Sequence, residues 1–215
     1  MKVLKKITGP LRENCFFVIS ENKTAVVVDP GDDAADLIQE IRNLELTIKA
    51  VLVTHTHYDH IGAVDAIREA FGVPSYVPKG EKEMLEDKDS NLSSIYAGRA
   101  ITATADYLVD GGQRLDFGDG LVFDTLLVPG HSPYSICYYM KEAGCVFSGD
   151  TLFRQGVGRV DLYEGEKTDL LNNIKEKLLV LPDETVVYSG HGLNTTIGNE
   201  KATNPFLSEE GFWLL

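Results

Sequence analysis

The chain has 215 residues, 43% of them hydrophobic and 25% charged, which suits a soluble globular protein with a substantial core, read here as one domain over 1–215. The formal net charge of -13 argues against nucleic acid or an anionic membrane as a partner. Three cysteines, odd in number, far apart and without a C-x-x-C pair, argue against a disulfide framework.

The N-terminus, Met1 to Lys6, is basic, but no long apolar stretch follows, so neither a signal peptide nor a membrane span is expected and the reading is cytoplasmic. Residues 2–8 read as a strand ended by Gly9-Pro10. The runs 14–20 and 24–28 form two more strands, joined as a hairpin at Glu21-Asn22-Lys23. Asp32 or Asp33 can cap a helix over 34–44, with Leu37, Ile38, Ile41 and Leu44 on one face. A buried strand at 48–53 follows, then a helix at 61–71 carrying Ile61, Val64, Ile67 and Phe71 at helical spacing. Residues 73–77 make a short strand and 79–87 are helix-prone. The stretch 91–105, with Tyr96 and Arg99, suits a helical insertion over a site. From residue 107 the pattern turns to strands at 107–109, 114–117, 121–128, 135–140 and 145–148, punctuated by glycine turns. A helix at 167–179 and a last strand at 185–188 follow, and the apolar tail Phe212-Trp213-Leu214-Leu215 is expected to pack onto the body. This order fits two sheets face to face with helices outside.

Three of the five histidines fall in Thr54-His55-Thr56-His57-Tyr58-Asp59-His60, directly after an apolar run. Imidazole nitrogen and carboxylate oxygen are ligands for zinc and other divalent first-row metals. Alternate side chains of an extended segment share a face, so His55 and His57 can serve one ion while a turn sends Asp59 and His60 to a neighbour. His131, Asp150 and His191 each end an apolar run beside a glycine, where backbone can approach closely. The set has seven donors.

That pattern resembles the metallo-β-lactamase-fold hydrolases. Glu13-Asn14-Cys15, Asp29-Pro30-Gly31, Pro129-Gly130-His131-Ser132 and Gly149-Asp150-Thr151 leading to Gly158-Arg159 are similar to its glyoxalase II-like branch, the hydroxyacylglutathione hydrolases. The resemblance implies a four-layer αββα sandwich. It implies one ion on His55, His57 and His131, a second on Asp59, His60 and His191, and Asp150 bridging both. Zinc is the first expectation, with iron or manganese also accepted by such ligands. A water shared by two such ions would lose a proton near neutral pH and attack the carbonyl of a small acyl thioester, with Asp59 orienting it. Departures bear on the substrate. Only about 24 residues follow His191, so a short form without the C-terminal helical extension is expected. Ala63 replaces the second glycine after the first motif, Tyr134 stands where a glycine is usual, and Val160-Asp161 follows Arg159 where glyoxalase II has an aromatic. Arg159 could grip a substrate carboxylate, and Tyr134 would place a phenol near the mouth. The competing reading is an oxidoreductase, because persulfide dioxygenases share Gly158-Arg159 with Asp161 and use one iron.

Overall fold

A computed structural model describes residues 1–208; the tail expected to pack onto the body, Phe212 to Leu215, lies outside the described residues. The first sheet has six strands in sequential order: β1 (Lys2–Thr8), β2 (Glu13–Ile19), β3 (Thr24–Val28), β4 (Thr47–Leu52), β5 (Ser75–Pro78) and β6 (Tyr107–Val109). Later in the chain come β7 (Arg114–Asp116), β8 (Val122–Leu127), β9 (Ile136–Met140), β10 (Cys145–Gly149), the small hairpin β11 (Leu152–Phe153) and β12 (Gly156–Val157), then β13 (Val186–Ser189) and β14 (Thr195–Thr196). Apart from that hairpin they form the second sheet, in the order β14-β13-β10-β9-β8-β7.

Strand alternation builds the layers. In β2, Cys15, Phe17 and Ile19 face an outer core that includes Leu37 and Ile41 of α1 (Ala34–Asn43), while Phe16 and Val18 face the second sheet. In β9, Ile136, Tyr138 and Met140 join Phe16 between the sheets, and Cys137 and Tyr139 turn outward. Burial on both faces explains why these strands read as continuous apolar runs. Between the sheets Phe16 packs on Phe147 and Tyr188 with ring centroids 5.4 and 5.3 Å apart. Such aromatic pairs add about 0.5–1.5 kcal/mol each beyond their buried area. The result is the expected four layers, helix–sheet–sheet–helix. All three cysteines are buried and unpaired.

Several boundaries differ from expectation for physical reasons. The helix expected at 61–71 is two, α2 (Tyr58–Ile61) and α3 (Val64–Phe71). The Pro30-Gly31 turn docks at the break: the Ala63 N–H donates to Pro30 O, and a Cβ on Gly62 would lie 2.3 Å from Gly31 O. Asp33 precedes α1 at φ 53, and its carboxylate accepts the Gly9 N–H at 2.9 Å instead of capping the helix. The 79–105 stretch holds a single 3₁₀ turn (Lys79–Glu81), α4 (Lys82–Glu86) and α5 (Ser93–Tyr96). The long helix is α6 (Lys167–Asn173), started by the Glu166 carboxylate accepting the Asp169 N–H, and continued by a π-helical turn over Ile174–Leu178. Its Leu170, Ile174 and Leu178 fill the second outer core with Ile197 of α7 (Ile197–Thr203), a short helix that the hydrophobic periodicity of the chain does not announce. Among the described residues no helix is long and apolar enough to cross a membrane.

Candidate metal centre

Strands β3, β4 and β5 run parallel, so the chain leaves all three at one edge. In the second sheet β9 is antiparallel to both β8 and β10, and β10 is parallel to β13, so β8, β10 and β13 also share a direction. Ligands of open α/β sheets gather beyond the carboxyl ends of strands. Here the segment after β4 carries His55, His57, Asp59 and His60. The segments after β8, β10 and β13 carry His131, Asp150 and His191.

The structure brings all seven together. His55, His57 and His131 offer ligand atoms within 4.8 Å of one another, as do Asp59, His60 and His191, and also His55, His60 and Asp150. His57 Nδ1 lies 3.0 Å from His131 Nε2. Asp150 stands between the sets: Oδ1 is 3.4 Å from His60 Nε2, and Oδ2 is 3.5 Å from His191 Nε2 and 3.7 Å from His131 Nε2. Asp59 Oδ2 is 3.2 Å from His191 Nε2. Gly190 permits this closeness, since a Cβ there would lie 2.3 Å from Asp150 Oδ1 and 2.6 Å from His60 Cε1.

Four of the imidazoles are oriented by what binds Nδ1. Those of His60, His131 and His191 donate to Asp29 Oδ2 (3.1 Å), Arg159 O (2.8 Å) and Leu11 O (3.2 Å). His55 Nδ1 faces Thr54 Oγ1 at 3.1 Å, and that hydroxyl in turn donates to Asp29. Such partners fix the tautomer and turn Nε2 inward, as outer partners of metal-bound histidines do. Asp29 also accepts the Thr54 N–H at 2.7 Å, so one buried carboxylate anchors the segment and aims His60. Nothing beside Asp29 in the sequence signals this role; the bonds of its carboxylate are to residues 25 or more positions away. The Nε2 atoms of His55, His57 and His60 and Asp150 Oδ1 are buried without a hydrogen-bond partner. A buried unmet polar atom costs about 1–3 kcal/mol. Lone pairs converging in this way fit a divalent cation.

The electrostatics agree. Burial, with neighbouring histidines, holds His55 well below the usual imidazole range and His57 down at about 3. Burial also lowers His131, against the pull of Asp150. These three rings are therefore neutral and ready to ligate. At His60 and His191 burial opposes the charged form, but Asp150 and Asp59 outweigh it and raise both. The carboxyls of Asp59 and Asp150 stay depressed despite burial, because His60 and His191 face them. The site demands positive charge, and protons on His60 and His191 supply it where a metal ion would compete.

A cavity of about 340 Å³ opens onto His57, Asp59, His131, Asp150 and His191. Its other walls are Leu11, Tyr58, Leu92, Tyr96, Arg159 and Leu162. Tyr58 and Tyr96 stack with centroids 6.4 Å apart, so the 79–105 stretch does reach the site. Arg159 lines the cavity, but its guanidinium is held bidentately by Asp161 at 2.7 and 2.9 Å. Tyr134 departs from expectation. It is not among the cavity walls; its ring lies over Gly80, where a Cβ would fall 2.1 Å from the ring, and it borders a separate cleft with Val109 and Leu127. A larger cleft around Arg68 and Asp106 lacks histidines.

The family described as "Metallo-beta-lactamase superfamily" matches residues 8–191. A protein described as "Probable metallo-hydrolase YqgX", from Bacillus subtilis, is 43% identical over 209 residues, 97% of this chain and 98% of that one. "Hydroxyacylglutathione hydrolase GloC" of Haemophilus influenzae is 36% identical over 204 residues, covering 93% and 94%. Among solved structures, "BLEG-1 B3 metallo-beta-lactamase" superposes with a TM-score of 0.93 at 44% identity, over 96% of this chain and all of that one. "TTHA1623 in a di-iron-bound form" gives 0.85 at 39% identity, over 95% and 100%.

Proposed function

Because this chain belongs to the metallo-β-lactamase superfamily, we propose that it is a binuclear metallo-hydrolase of a small acyl thioester, similar to a short glyoxalase II. One observation carries the reading: two sets of three donors lie with Asp150 between them, beside a cavity whose other walls are largely apolar. His55, His57 and His131 would hold one ion, Asp59, His60 and His191 the other, and Asp150 would bridge them. Zinc is the first candidate; the di-iron relative supports iron as a second. When bound, such ions act as Lewis acids that lower the pKa of water toward about 7 and draw charge from a carbonyl oxygen.

The chain's own groups do the rest. The ionised Asp59 carboxylate, facing the cavity, accepts a hydrogen bond from the attacking water and sets its direction. Leu11, Leu92 and Leu162 shed water from around the acyl chain, so attack on the carbonyl carbon competes with less solvent. The water gives up one proton to solvent before attack; as the C–O bond then forms and the C–S bond breaks, the sulfur leaves as a thiolate, which needs no strong acid, and the product acid releases its proton and departs as a carboxylate. Arg159, neutralised by Asp161, offers an anionic carrier less than a free guanidinium would.

Elemental analysis of the native protein with a lactoyl-glutathione hydrolysis assay tests this. The expected result is two divalent ions per chain and a kcat/KM on the order of 10⁴ M⁻¹s⁻¹ or more on lactoyl-glutathione or another small thioester. Full metal occupancy with no activity on any thioester would sink it. β-Lactam hydrolysis is a second reading, favoured by the relative described as a B3 metallo-beta-lactamase, and a chromogenic β-lactam in the same assay separates the two. One iron per chain with oxygen uptake on a persulfide would carry the oxidoreductase reading instead.

A further inference from the structure

Behind the first donor set lies a carboxylate that does not line the cavity and whose hydrogen bonds go to the neighbours of the donors. Glu81 ends the 3₁₀ turn after β5 and is fully buried. Its Oε2 accepts the Thr56 N–H at 2.7 Å and the Thr56 hydroxyl at 3.1 Å. Its Oε1 accepts the Tyr134 N–H at 3.1 Å and the Ser132 hydroxyl. Thr56 stands between His55 and His57, and Ser132 follows His131. One carboxylate therefore joins the segment from the first sheet that carries two histidines to the segment from the second sheet that carries the third. The turn is held in place from outside, because the Tyr134 ring lies against Gly80. Asp29 holds His60 of the other set directly and reaches the first set only through Thr54 and His55.

We propose that Glu81, seated by Tyr134 over Gly80, is a positioning residue that sets the spacing of His55, His57 and His131 and so the affinity of that one donor set for its ion. The inference rests on the two-ion reading of the site. Outer partners of metal ligands alter affinity about 10–100-fold. Glu81 holds two segments at once, so its loss lets the three rings drift apart without removing any of them. Tyr134 thereby acquires a place in the molecule that does not involve substrate.

The test is a Zn²⁺ titration of the metal-free full chain against a chromophoric chelator, for wild type, Glu81→Gln and Ser132→Ala. His57→Ala and His60→Ala serve as references for the two sets. Glutamine keeps one acceptor oxygen but turns an NH₂ toward the other pair of donors. Glu81→Gln should weaken one class of site about 10–100-fold, matching the class lost in His57→Ala, and leave the class lost in His60→Ala within about twofold. Ser132→Ala should show the same selectivity, smaller in size. Cobalt-loaded Glu81→Gln should show altered visible absorption for that ion only, and kcat should fall more than KM changes. Equal weakening of both classes, or of neither, overturns the proposal. If Glu81→Gln does not fold, Ser132→Ala decides by the same criterion. A wild type that binds no zinc or other divalent ion would instead remove the two-ion reading itself.

Discussion

Gly190→Ala adds one methyl group to the crowded floor of the site. Gly190 lies outside the positive-φ region, so alanine adds no backbone strain there. The whole effect is steric. The new Cβ would lie 2.3 Å from Asp150 Oδ1 and 2.6 Å from His60 Cε1. An ordinary contact is about 3.5 Å, so carboxylate and ring must each retreat by about 1 Å. Overpacking of this size costs about 1–3 kcal/mol of stability. Its larger consequence is local, because misplacement by 1 Å can cost about 100-fold in rate. Metal content after dialysis, thermal unfolding of the metal-free chain and kcat on a thioester report the three quantities separately. Loss of metal or of kcat by at least tenfold is expected, with the metal-free fold destabilised by no more than a few kcal/mol. Gly72→Ala is the contrast: φ is +64 with nothing within 4 Å of a Cβ, so it should cost only about 1–2 kcal/mol and leave the ions alone. A Gly190→Ala protein with wild-type ion content and turnover would refute the reasoning.

Two further outcomes follow from the charges. Asp150 and Asp59 hold the folded pKa of His60 and His191 above the usual imidazole value. Ion binding to that set must displace those protons, so apparent affinity should rise with pH and fall by about tenfold per unit for each proton displaced below that pKa. Zinc titrations between pH 6 and 8, in buffers of different ionisation enthalpy, check both the slope and the protons released; a flat profile contradicts the assignment. Away from the site, the Arg68 guanidinium holds the Asp106 carboxyl at about 2, through contacts of 2.6 Å on both oxygens. Because this pKa lies below the unfolded value near 3.9, the stabilisation is present above about pH 4 and is lost as pH falls toward 2. Asp106→Asn should flatten that part of the stability profile in urea unfolding of the metal-free protein, and an unchanged acid limb would show the pair to be inert.

The seven candidate donors are legible because such residues cluster locally or sit at strand ends beside glycine, and both are sequence patterns. The layers are legible because β2 and β9 stand out as continuous apolar runs and α1 carries an apolar stripe at helical spacing. The supports are not. Glu81 and Asp29 act on residues far along the chain, and nothing beside them in sequence says what they will touch. Glu81 reads as one more charge in a helix-prone run, yet it is fully buried. The break between α2 and α3 is hidden for a similar reason, since it answers to Gly31 docking from another loop. Tyr134 reads as a mouth residue because it replaces a small one, but Gly80 opposite is small enough to receive its ring.

The donors are divided between the two sheets. Each donor set draws members from the loop behind β4 and from loops behind β8 or β13, so neither sheet alone holds a complete coordination shell. An ion bound there is a rivet across the seam. It can be captured only after the halves have docked, which places loading late in assembly, behind the slow long-range pairing of the strands. Once seated, its binding free energy adds to the cohesion between sheets in proportion to the logarithm of free metal. Cellular metal supply would thus govern how long the folded chain lasts as well as how fast it turns over.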